Sequence, residues 1–134
     1  MAMTRAEMQR AEWVRTELVL PAQANHYGTL FGPNAMALLG EAAFLAATEF
    51  CRQPVVMAAA ERIDFLAPIF VGATLRINSC ITRVGRSSMT VAVRAVVDAK
   101  EVLRAEFAMV AVDAQGCPVA ITVLAAETAF ANRA

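Results

Sequence analysis

The spacing of apolar positions changes character at Pro54. Before it, Trp13 to Leu20 reads as a strand ended by Pro21, and residues 21–32 read as a loop. Pro33 suits the first helical position, where its missing N–H costs little. A helix is predicted from there to about Phe50, with only Glu41, Thr48 and Glu49 clearly polar after Asn34. A helix apolar on all sides is wrapped by other structure. After Pro54 the period becomes two. Val55, Met57, Ala59, Ile63 and Phe65 share one face of a strand over 55–65. Leu75, Ile77 and Ile81 alternate with Arg76, Asn78 and Thr82 over 73–84, and Met89, Val91, Val93 and Val97 with Ser88, Thr90, Arg94 and Asp98 over 87–98. A tight turn at about 98–101 leads to Val102–Asp113, where Leu103, Phe107 and Met109 face one way, and Asp113 to Gly116 reads as a terminal turn. Such alternation predicts half-buried antiparallel strands. The expected order is strand, long helix, then four strands in meander. This is an α+β domain in which one sheet covers one helix and leaves a side of it for a second subunit. Residues 4–12 are expected as a short helix or a frayed start.

At 134 residues the chain fits one domain. Its hydrophobic content of 58 % exceeds what so small a domain can hide alone, which predicts a homo-oligomer. No apolar run reaches the roughly 18–20 residues of a membrane span. Twelve basic and twelve acidic residues cancel, which argues against bulk electrostatic binding to nucleic acid. The first residues carry both charges and no apolar core of a signal peptide. Cys51, Cys80 and Cys117 lack CxxC spacing, so free buried thiols in a reducing cytoplasm are expected rather than disulfides or zinc. Neither metal-ligand spacing nor a nucleotide-binding glycine motif occurs.

The candidate chemistry lies where loop meets helix. Asn25-His26-Tyr27-Gly28-Thr29-Leu30-Phe31-Gly32 feeds a helix N-terminus, whose free N–H groups can hold a developing oxyanion. Glu41, further along the helix, reads either as general base or nucleophile, or as a carboxylate paired with an arginine such as Arg62 or turned to solvent. Asn25 reads as a polar anchor or a turn former, and His26 as a base or an exposed loop residue. Gly40 marks close backbone approach or a lost side chain. Arg86, Ser87 and Ser88 after Gly85 offer a phosphate clamp, or the solvent face of a strand. Asp64 and Phe65 read as a ligand-tunnel lining, or as a strand-end acid and a core aromatic. Met36, Met57, Met89 and Met109 read as core.

The segments Pro21 to Gly32, Glu41-Ala-Ala-Phe-Leu-Ala-Ala-Thr, Arg62-Ile-Asp-Phe-Leu-Ala-Pro-Ile, Val84-Gly-Arg-Ser-Ser-Met-Thr-Val and Met109 to Pro118 occur in that order. Together they resemble the hotdog-fold acyl-CoA thioesterases, closest to the small bacterial acyl-CoA hydrolases related to cytosolic long-chain acyl-CoA hydrolases. The resemblance implies a long central helix wrapped by an antiparallel sheet of about five strands. It implies hydrolysis of acyl-CoA to free acid and coenzyme A, with coenzyme A as part of the substrate and no other cofactor. It also implies dimers with sheets joined edge to edge and sites between subunits, often assembled as trimers of dimers. Asn25 would belong to the active site, Gly32 would present its N–H to the thioester carbonyl, and Gly85-Arg86-Ser87-Ser88 would hold coenzyme A. His26, Gly40, Asp64 and Phe65 would line the substrate site. The chain departs from the family at two points. Pro33 replaces the second glycine before the helix and removes one donor. Gly40 stands where the family places a carboxylate, and the acid is at the next position, Glu41. An acyl-CoA-binding protein of low activity and a hotdog dehydratase are the alternative readings.

Overall fold

The computed structural model describes residues 11–122. Residues 4–10 of the expected N-terminal helix lie outside the described residues, and Glu12 opens a strand instead. That strand, β1, spans Glu12–Leu18, and one helix, α1, spans Gly32–Cys51. Strands β2 (Val55–Phe65), β3 (Thr74–Val84), β4 (Ser88–Val97) and β5 (Lys100–Ala111) follow. All strand pairs are antiparallel.

The sheet order is β1-β3-β4-β5-β2, which corrects the expected four-strand meander. Only β3, β4 and β5 run as successive hairpins. The β4–β5 turn is just Asp98 and Ala99, both at positive φ (50° and 65°), the pairing that matches strand twist in a two-residue hairpin. The link from β2 to β3 cannot turn tightly because loop backbone holds it. Leu30 donates its N–H to the Ile69 carbonyl (2.7 Å), Val19 to Ala73 (3.0 Å) and Gly72 to Val19 (2.8 Å). Ile69 is buried and acts as the apolar anchor of this crossing.

Alternation holds over most of β3, β4 and β5, with one inserted residue each in β3 near Thr82 and in β5 at Val102, and Val97 is only partly buried. Leu75, Ile77, Ile81, Met89, Val91, Val93, Leu103, Phe107 and Met109 are all buried beneath the helix. It fails in β2, where two register shifts each insert one residue. Val55 and Met57 pair with core-facing Ala111 and Met109, but Ala59 pairs with Ala108, and Ala60 lies opposite buried Phe107. The second shift, which includes Arg62 at φ 52°, returns Phe65 to the core side opposite Leu103. Each extra residue turns the following side chains over.

One face of α1 is sealed by the sheet through Ala35, Leu38, Leu39, Ala42, Ala43, Ala46, Ala47 and Phe50. The small residues let the helix lie close to the strands. On its other side Met36, Phe44 and Leu45 remain exposed, as do Val56 and Met57 on the outer strand β2. The expected open side of the helix is therefore present. Among the described residues no helix is long and apolar enough to cross a membrane. The cysteines are unpaired. Cys51 is buried and its thiol is pushed up by desolvation, whereas Cys117 is exposed, against the expectation that all three are buried. Cys117 sits in the terminal turn, where Asp113 Oδ1 accepts its N–H and that of Gln115.

Candidate active site

Pro21 starts a single 3-10 turn, and the chain then folds around Asn25. The Asn25 side-chain oxygen accepts N–H groups from Tyr27 (2.9 Å) and Thr29 (3.2 Å), and its amide donates to the Thr29 hydroxyl (3.0 Å). Backbone bonds from Asn25 to Thr29 and from Gly28 to Asn25 close the loop. An asparagine suits this task because its carbonyl mimics a backbone acceptor. Asn25 thus builds the loop. His26 and Tyr27 ride on its exposed tip, ring to ring at 3.9 Å between centroids.

The loop delivers Phe31 as the residue before α1, and no side chain caps the helix start. Phe31 donates its N–H to the Gln23 carbonyl (2.9 Å), and the Asn34 amide donates to the same oxygen (3.0 Å). Gly32 is the first helical residue, so Pro33 takes the second position rather than the first. The backbone N–H groups of Gly32 and Asn34 are the two first-turn donors on either side of it. Beside them is an apolar recess of about 270 Å³ lined by Thr29, Leu30, Ala35, Phe65, Ile69 and Leu103. The Phe65 ring edge is 3.8 Å from where a Gly32 side chain would begin. Gly32 and Phe65 therefore meet at the N-terminal end of α1, and Asn25 is tied to the recess through Thr29.

Glu41 does not lie in an apolar enclosure, as an acid in so apolar a helix suggests. Its side chain is 60 % exposed, and one oxygen is 3.5 Å from the Arg15 guanidinium of β1. Arg15 also pairs with Glu17. Its partner is thus Arg15 rather than Arg62. Gly40 faces a different neighbour, because successive helical residues project about 100° apart. A Cβ built on Gly40 would stand 3.1 Å from the Met57 terminal methyl of β2. The space that a side chain at position 40 needs is already partly filled by methionine.

Asp64 and Phe65 part company. Phe65 joins the recess, whereas Asp64 pairs with Arg104 (3.1 Å) on the sheet face turned away from the helix. There it borders a charged depression with Glu12, Asn78, Arg94 and Glu106. Gly85-Arg86-Ser87-Ser88 forms the β3–β4 turn, closed by the Gly85 N–H on the Ser88 carbonyl (2.7 Å). This turn is at the far end of α1 from Asn25. Its neighbours are Ala111, which donates to the Ser87 carbonyl, and Val112, which donates to Pro54 just after the helix. Twenty helical residues span about 30 Å, so one protomer cannot bring Arg86 to its own Asn25 loop. Thr29, Arg15 and Met57 border Asn25, Glu41 and Gly40 without having been singled out by the sequence pattern. The i, i+4 spacing of Asn25 and Thr29 and the single alternation of Trp13, Arg15 and Glu17 along β1 were the available signals.

Comparison with known proteins bears on the family and the fold. The uncharacterized acyl-CoA thioester hydrolase YkhA of Bacillus subtilis is 33 % identical over 121 residues, covering 86 % of this chain and 70 % of that protein. Longer relatives match only in part: mouse acyl-coenzyme A thioesterase 11 is 37 % identical over 68 % of this chain, a stretch that is 15 % of its own length. An acyl-CoA hydrolase from Staphylococcus aureus, solved with butyryl coenzyme A and coenzyme A, superposes with a TM-score of 0.80 at 26 % identity, over 94 % of this chain and 88 % of that one. The hexameric thioesterase of Yersinia pestis gives 0.77 at 27 % identity, over 81 % and 93 %. The model describing the thioesterase superfamily matches residues 27–104. With its hotdog architecture and this match, the chain belongs to the thioesterase superfamily.

Proposed function

We propose that this protein hydrolyses acyl-CoA thioesters to a carboxylic acid and coenzyme A at a site shared by two protomers. The observation that carries this reading is an uncapped helix start, with the Gly32 and Asn34 N–H groups beside an apolar recess. Those donors polarise the thioester carbonyl and hold the oxyanion. Asn25 stiffens the loop and keeps one amide hydrogen for the thioester or the water. For Glu41 to take a proton as water attacks the carbonyl carbon, its side chain must leave Arg15 and swing toward β2. The C–S bond then breaks, and coenzyme A leaves as a thiolate that needs little acid assistance. Phe65 bounds the acyl end, and Arg86, Ser87 and Ser88 hold the phosphates and pantetheine of coenzyme A.

The separation of Arg86 from Asn25 supports a shared site. β2 is a sheet edge that exposes Met57 beside Gly40, on the side of the helix that carries exposed Met36 and Phe44. An apolar edge of this kind invites pairing with another chain. Antiparallel pairing of two β2 strands sets the Val55 end of one beside the Phe65 end of the other. The Val55 end adjoins Ala111 and the Arg86 turn, and the Phe65 end adjoins Gly32. A two-fold dimer therefore brings the Arg86 turn of one protomer toward the Asn25 loop of its partner. Further assembly into a trimer of dimers fits the hexameric state of the Yersinia thioesterase. Three unpaired thiols fit a reducing cytoplasm.

Gly40 against Met57, with Glu41 held by Arg15, favours one second reading: a protein that binds acyl-CoA and turns it over poorly. A panel of short- to long-chain acyl-CoAs, followed by release of free thiol, decides. Turnover supports hydrolysis, and binding without thiol release selects the second reading. Conversion of an enoyl or hydroxyacyl thioester without thiol release would overturn both in favour of a dehydratase.

A further inference from the structure

Beyond Gly116 the chain folds back along the end of the sheet. Val119 donates its N–H to the Ala111 carbonyl (2.9 Å), and Ile121, packed against the core edge, donates to the Arg86 carbonyl (2.7 Å). Residues 120 and 122 are gripped from the other side by one side chain. The Gln53 amide donates to the Ala120 carbonyl (3.0 Å), and its oxygen accepts the Thr122 N–H (3.2 Å). Gln53 sits just past the C-terminus of α1. The tail is therefore a strap: glutamine on one side, and the Arg86 backbone on the other.

We propose that Gln53 is a positioning residue for coenzyme A. By clasping residues 120–122 it fixes the Ile121 N–H that holds the Arg86 carbonyl, and so sets where the Arg86 side chain stands. The inference rests on the reading that Arg86 binds the phosphates of coenzyme A. The chemistry requires such a brace. Arg86 is exposed and lies in a four-residue turn, and a guanidinium recognises phosphate by a fixed fork whose value is lost when its backbone wanders. The Ala111 N–H steadies Ser87 (2.8 Å), and among the described residues the Ile121 N–H is the one backbone donor to the Arg86 carbonyl. A glutamine side chain, with one donor and one acceptor at its tip, matches the carbonyl and N–H of an extended strand as a neighbouring strand does.

The test compares an acyl-CoA with the corresponding S-acyl pantetheine, which lacks the phosphates. Gln53→Ala should raise KM for acyl-CoA by about three- to tenfold, the scale of one or two modest hydrogen bonds. It should leave kcat within about twofold and leave kcat/KM for the pantetheine thioester unchanged. Gln53→Met, which keeps the length of the side chain and loses both hydrogen bonds, should behave as the alanine variant does and guards against a folding defect caused by lost side-chain volume. Arg86→Ala is the control. If it raises KM for acyl-CoA and Gln53→Ala does not, the strap does no positioning and the inference fails alone. If Arg86→Ala leaves KM unchanged, the coenzyme A reading of the turn fails and the inference with it. An equal loss on both substrates in Gln53→Ala makes Gln53 merely structural and overturns the proposal.

Discussion

Replacing Glu41 by glutamine separates catalysis from stability, because the two effects differ in size. The Glu41 carboxylate is 60 % exposed and 3.5 Å from Arg15, which keeps Glu17 as a partner when Glu41 is neutral. An exposed ion pair of this kind is worth about 0.2–1 kcal/mol. Loss of that amount moves Tm by only a few degrees, roughly 1–5 °C in a domain of this size. Loss of a general base lowers turnover by about 10²–10⁴. That corresponds to roughly 2.7–5.4 kcal/mol on the barrier and cannot be confused with partial unfolding. The companion variant is Gly40→Asp. Its Cβ would meet the Met57 methyl at 3.1 Å, and a flexible thioether tip can retreat by the few tenths of an ångström required. Leaving glycine gains a few tenths of a kcal/mol of helix propensity, while the new carboxylate faces an apolar methyl. Gly40→Asp is therefore expected to fold and to leave kcat unchanged or lowered. The assay is steady-state thiol release from a good acyl-CoA substrate, with Tm measured on the same preparations. If Glu41→Gln keeps kcat within about twofold while Gly40→Asp raises it, the base belongs at position 40 and the assignment of Glu41 is refuted.

Leu39 is fully buried between α1 and the sheet, so Leu39→Ala should destabilise the protein by about 2–5 kcal/mol, seen as a lower denaturation midpoint with an unchanged m-value. A thiol reagent under native conditions should modify Cys117 first. Cys51, buried and with its thiol pushed up by desolvation, should react only on unfolding, and equal rates for the two would contradict the packing of the helix end.

Most of the fold was legible in the sequence because three strands keep a period of two over most of their length and prolines stand near both ends of the helix. Leu75, Ile77, Met89, Val91, Leu103 and Phe107 all fall on the face assigned to them. The order of strands was not legible. A meander and this crossover differ only in whether Leu66 to Ala73 turns or travels, and long-range bonds from Val19 and Leu30 decide it. The faces of β2 were hidden by two inserted residues that no local pattern marks. At the site, the helix start could be anticipated from Gly32-Pro33, and Phe65 from its parity with Val55. The surroundings of Glu41 could not, since Arg15 is 26 positions away and reaches it only through the packing of β1 beside α1. Arg86 and Asn25 appeared in the sequence as parts of one site, and nothing in their spacing revealed that α1 holds them apart.

That separation gives the most direct test of a catalytic site shared between protomers. Asn25→Ala and Arg86→Ala proteins, each of low activity on acyl-CoA, are mixed in equal amounts, unfolded and refolded together. In a two-fold dimer that joins the Asn25 end of one chain to the Arg86 end of the other, a mixed dimer carries one doubly altered site and one intact site. Random pairing makes half the dimers mixed, so activity should recover to about one quarter of the wild-type value. Activity that stays at the average of the two parent variants would contradict the shared site and place both residues in separate functions.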